Sequence, residues 1–159
     1  MIAAGERCER RRSGSLFPTA HIWTSDVKEG AKVELIRAAT ITQFTNSGVT
    51  SRQLLFPENS RSSRITITRV TLQADAKNPA HRHEESEQVW VGLRGNGVLL
   101  LEGDKTMPFS EGDVVRFEDG ELHGFQNSAS AEFEYLSVTS PPANFRGAYE
   151  KQWSPQSRK

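Results

Sequence analysis

From Thr40 onward the chain reads as short apolar runs broken by turn formers. Runs rich in Val, Ile, Thr, Leu and Phe fall at 39–44, 52–56, 64–73, 88–93, 98–102, 105–109, 113–117, 122–126 and 132–139. Their spacing is close to the roughly 8–12 residues of an all-β sandwich or barrel. The alternation is plainest from Arg64 to Val70, where Ile65 and Ile67 share one face and Thr66 and Thr68 the other. A period of two belongs to a strand. Gly95-Asn96-Gly97, Gly103-Asp104 and Asp119-Gly120 supply the positive-φ positions that tight hairpins require. No long amphipathic helix follows residue 40, so the pattern predicts an all-β domain.

The flanks lack this pattern. Residues 1–34 mix Arg, Gly, Ser and Pro, and the stretch from Val27 to Ala39 is only weakly helical. Two readings stand: a partly disordered extension, or an arm that docks on a second subunit through Leu16, Phe17, Ile22 and Trp23. The barrel is expected over 35–140, and the tail 141–159, with Pro142 and Pro155, is expected to be irregular.

Composition narrows the classes. The 159 residues carry 20 basic and 20 acidic side chains, a net charge of zero. That leaves no global field to hold a nucleic-acid backbone or an anionic membrane. The single cysteine, Cys8, excludes an internal disulfide framework and any multi-cysteine metal site. No apolar run approaches the ~20 residues of a membrane span. The basic cluster Arg7, Arg10, Arg11 and Arg12 is followed by Ser-Gly-Ser-Leu-Phe-Pro rather than a signal-peptide core. A soluble, cytoplasmic, single-domain protein is the expectation. No phosphate-binding glycine loop, nucleophile-elbow serine or His-Glu-x-x-His helix is present.

The candidate chemistry lies in the histidines. Three of the four form a pattern: His81 and His83, one residue apart, and His123, forty residues on. On a strand, residues i and i+2 face the same way, so both imidazoles of the pair can reach one metal ion. His123 follows the Asp119-Gly120 turn on a strand that can lie beside the pair.

The segment from His81-Arg82-His83 through Gln88 to Gly95 resembles the first motif of the cupin superfamily. There His-x-His is followed after three or four residues by an acidic ligand, and six residues later by glycine. The segment from Gly112 through Gly120 and His123 to Asn127 resembles the second motif. Sixteen residues lie between Gly95 and Gly112, as in small bacterial cupins, and the likeness covers about residues 60–140. It implies an antiparallel double-stranded β-helix, or jelly-roll barrel. It also implies one divalent transition metal (Fe, Mn, Ni, Cu or Zn) and a homodimer, with 52–56 or the N-terminal arm as candidate swapped elements.

Two positions depart from the family pattern. Glu118 stands where the second motif has proline, placing a carboxylate near the barrel mouth. At the acidic-ligand position, Glu87 and Gln88 compete. Strand parity sends them to opposite faces, and the six-residue spacing to Gly95 favours Gln88. A glutamine oxygen would leave the ion's +2 charge uncompensated, favouring Lewis acidity and an anionic substrate. The implied ligand set is therefore His81, His83, Gln88 and His123.

Parity with Gln88 and His123 turns Trp90 and Phe125 inward. Alternation does the same for Phe133, Tyr135 and Ser137 against Glu132 and Glu134. Trp90, Phe125 and Phe133 become candidate substrate contacts. Arg116, like Arg69, lies mid-strand among apolar residues and is a candidate anion clamp if it faces inward. Tyr135 and Glu118 are candidate proton donors or acceptors. Three functions compete: a metal-dependent enzyme of dioxygenase, isomerase or lyase type acting on a small molecule; a non-catalytic small-molecule binder or sensor; and a metal-free barrel.

Overall fold

The nine runs become strands and a tenth, at Lys77–His81, joins them, giving β1 to β10 in the computed structural model, which describes residues 33–151. The segment 1–32, with the expected arm and Cys8, and the last residues, 152–159, lie outside that description. All of the elements fall in the second of two compact units, which begins at Glu34.

One sheet has six strands in the order β1 (Gln43–Asn46), β2 (Val49–Leu55), β3 (Thr66–Leu72), β10 (Phe133–Ser140), β5 (Glu87–Arg94), β8 (Val114–Phe117). The other has four, in the order β4 (Lys77–His81), β9 (His123–Gln126), β6 (Asn96–Leu101), β7 (Thr106–Ser110). Every pairing is antiparallel. The two sheets enclose Leu72, Trp90, Leu99, Phe109, Phe117, Phe125, Phe133 and Tyr135, a continuous apolar core. The expected turn residues Gly95, Gly103, Asp104 and Gly120 all have positive φ.

Strand β3 alternates as expected, but its threonines face inward. Thr66, Thr68, Val70 and Leu72 are buried, while Ile67 is half-buried on the outer face. Thr68 lines an open cavity together with Ser51 and Ser137, where a hydroxyl is a compatible side chain. Ile67 instead lies beside Val138 and Leu55 on the outside.

The tail also differs from the expectation of irregular chain. Arg146–Glu150 forms a short helix, α1. It is held by the stacking of Tyr149 on Phe44 (ring centroids 5.6 Å), an Arg146–Glu58 ion pair and a bond from Asn46 Nδ2 to the Lys151 carbonyl at 2.7 Å. No helix of the described residues is long and apolar enough to cross a membrane.

Strands β4 and β9 carry the histidines, and Gly124 controls how closely they approach. A Cβ at Gly124 would lie 2.8 Å from the Ala80 backbone, closer than any real contact permits. The absent side chain lets β4 seat against β9 with His81 opposite His123.

Candidate metal centre

The three imidazoles converge. His81 ends β4, His83 lies in the loop that follows and His123 opens β9. One nitrogen of each falls within 4.8 Å of the others, an arrangement able to hold a single ion. The loop is fixed by the Gly120 amide, which donates to the His83 carbonyl at 2.8 Å. Phe117 stacks on His123 at 4.2 Å, and Phe145 meets His83 edge-on at 5.4 Å.

Protonation follows from the hydrogen bonds. Nδ1 of His81 lies 2.8 Å from the Pro79 carbonyl, and Nδ1 of His123 lies 2.8 Å from the Glu121 carbonyl. A carbonyl only accepts, so both Nδ1 atoms carry the proton. Burial first, and then the proximity of His81, hold His123 down to about 3 and His83 down to about 4; burial also lowers His81. The rings are neutral near pH 7, so His81 and His123 present Nε2 lone pairs to the shared space. Backbone carbonyls orienting imidazoles through the far nitrogen are the usual support of metal-ligating histidines.

Gln88 on β5 lies among them. Its Oε1 accepts the Trp90 indole N–H at 2.7 Å, and its Nε2 donates to Thr139 Oγ1 at 2.8 Å. Flipping the amide would set two N–H groups against each other, so the Trp90 bond fixes which atom is oxygen. That oxygen lies 2.9 Å from His123 Nε2. With the His123 proton on Nδ1, two lone pairs face each other in a buried site. A cation shared by both atoms resolves the conflict, and the residues present fit a metal.

Glu87, the competing ligand candidate, points the other way. It pairs with Arg116 on the outer face of the sheet, and Arg116 also bonds Glu118 at 2.9 Å. Arg116 and Glu118 are thus not brought to the cavity. The parity that turns Gln88 inward turns Glu87 outward; Arg116, its register neighbour beside Val89, shares that outer face. Arg69 is likewise outside, in a two-point bond with Glu134.

A cavity of about 300 Å³ opens beside the histidines, and Trp90 and Tyr135 line it. Phe125 and Phe133 do not. They stack on each other at 4.2 Å and meet Phe109, in the apolar part of the core. They face inward as alternation requires, but at levels of the barrel away from the mouth. Sequence reasoning missed Asn78, Ser51, Thr68, Phe145 and Tyr149, which also line the cavity. Ser51 and Thr68 carried a signal, since each alternates in register with apolar inward positions. Asn78 and the α1 residues carried none, because their approach depends on chain-distant packing.

Residues 68–139 match the family model described as a cupin domain. Together with the fold, this makes the barrel a small cupin domain. The chain is 28% identical over 119 residues to the oxalate-binding protein of Thermotoga maritima, covering 70% of this chain and 97% of that one. A Thermotoga maritima structure described as a predicted oxalate decarboxylase resembles it with TM-score 0.59 and 25% identity, over 68% of this chain and 99% of that chain. The polyketide cyclase RemF of Streptomyces resistomycificus gives TM-score 0.58 and 21% identity, over 68% and 79%. That likeness speaks to the fold alone.

Proposed function

We propose that the domain is a mononuclear metal-dependent enzyme acting on a small anionic molecule, with His81, His83, His123 and Gln88 as ligands. The observation that carries this is the Gln88 oxygen set against the His123 lone pair. A bound divalent ion would act as a Lewis acid toward a substrate oxygen. Four uncharged ligands leave its charge uncompensated, which favours a carboxylate. The Thermotoga relatives, described in terms of oxalate, are in keeping with an anionic ligand.

The chain's own residues would bind and orient that molecule. Burial raises the Tyr135 phenol above its ordinary value, so it holds its proton at neutral pH and serves as a donor. With Glu118 outside, no carboxylate lines the cavity among the described residues, and proton transfer would fall to a phenol or to water. The reading includes a homodimer. Its competitor, a non-catalytic binder, uses the same ligand set.

Elemental mass spectrometry on chelator-free protein tests the proposal. Near-stoichiometric transition metal is expected, falling strongly in both His81→Ala and Gln88→Ala. No metal after reconstitution would overturn it, and metal unaffected by Gln88→Ala would remove glutamine from the ligand set.

A further inference from the structure

Beyond the histidines, the cavity wall carries neutral hydrogen-bonding groups set among the apolar Val70, Phe145 and Ala148. Asn78 Nδ2 donates to the Tyr135 hydroxyl oxygen at 3.0 Å. Tyr149, arriving on α1, hydrogen-bonds Ser51, and Ser51 Oγ accepts from Gln53 Nε2 at 2.9 Å. Two phenols from separate elements, β10 and α1, therefore line one cavity, with Thr68 and Ser137 adding hydroxyls. Trp90 stands between this part of the wall and the histidines, its ring 4.3 Å from Tyr135 and 5.4 Å from His123.

We infer that Tyr135, Tyr149 and Asn78 recognise neutral hydroxyl groups, so that the substrate is a small polyhydroxy carboxylate rather than a bare dicarboxylate. This rests on the metal-centre reading, which accounts for the carboxylate. The phenol end adds three arguments. First, the lining offers no unpaired cation there: Arg82, its one arginine or lysine, bonds Glu102 at 3.0 Å. A second carboxylate would lie against neutral groups without a counter-charge, at a large desolvation cost. Second, hydroxyls, phenols and an amide can both donate and accept, which suits alcohol groups. Burial raises both phenols, so both retain their protons. Third, the cavity of about 300 Å³ has room for about ten water-sized groups. A two-carbon dicarboxylate would leave most of that space unfilled.

Calorimetric titration of the manganese-loaded protein with gluconate, galactonate and oxalate tests the inference. At least one aldonate is expected to bind. Tyr149→Phe and Tyr135→Phe should each weaken it about 5- to 15-fold, the loss of one hydrogen bond, with manganese content unchanged. Oxalate affinity should change less than about 2-fold, because it does not span to the phenols. Tyr149 lies on a short surface helix, so its variant keeps the test alive if Tyr135→Phe does not fold. Oxalate binding without aldonate binding, or aldonate affinity indifferent to both substitutions, overturns the inference and leaves the metal centre standing. A protein that retains no transition metal on reconstitution, or that binds neither ligand class when loaded, overturns both.

Discussion

The Trp90 indole has a task at the residue scale beyond filling the core. Its N–H holds the Gln88 oxygen toward His123, while Thr139 takes the amide nitrogen. Trp90→Phe keeps an aromatic ring but frees the amide to rotate. Manganese affinity, measured against a competing chelator, should fall at least about 10-fold, the scale of a lost outer-shell contact. In Gln88→Ala the same substitution should add little, because the group it orients is gone. Additive losses would show that Trp90 acts through packing instead. The convergence of these side chains was legible from spacing and parity: the His-x-His pair, His123 after its glycine turn, and Gln88 rather than Glu87 on the inner face. The Trp90 bond was not, because parity says which way a side chain points and not which atom it meets.

Nearly every strand was legible at the element scale, since an antiparallel sheet with one buried face imposes its period on the sequence. Strand β4 was the exception. Lys77–His81 contains Asn78 and Pro79, and its burial does not alternate cleanly. It is a strand because Gly124 admits it against β9, a reason recorded in another segment. The same holds for α1, whose five residues have no side-chain cap and bury none of their own. Its place comes from contacts with Phe44, Asn46 and Glu58. The faces of β3 were ambiguous for a different reason. Isoleucine normally marks the inside, yet here the inner face meets a cavity that hydroxyl side chains help to line, and the outside is half covered.

That outer face bears on the whole molecule. Ile67, Val138, Val89, Leu136 and Val91 are half-buried neighbours in register, continuing to Val114, which is 66% exposed. This apolar stripe, with Arg69 beside Leu136 and Arg116 beside Val89, is surface of a kind another subunit can cover, and a dimer is the expected result of light scattering at micromolar concentration. Val114→Glu should shift it toward monomer; a monomeric wild type would overturn the expectation. The buried histidines set a second whole-molecule property. In the metal-free protein His83 and His123 titrate near 4 and 3, against about 6.5 when unfolded. Between those values the unfolded chain binds more protons, so stability rises with pH and is lost as pH falls below about 6.5. The Tm of chelator-treated protein should therefore drop by several degrees from pH 7.5 to 5, and His83→Gln should flatten that drop. A level profile over this range would contradict the buried neutral site.

The sequence by itself determined the all-β class, the turn positions, and which residues could serve as ligands. Each of these depends on neighbours a few positions away, through backbone geometry and side-chain period. Only the tertiary structure decided that Arg116 and Glu118 pair outside the barrel, that Phe125 and Phe133 belong to the core, and that Tyr149 faces the cavity. Those outcomes depend on how far along the barrel a side chain lies and on which distant segment closes over it. Such three-dimensional distances leave no period in the chain.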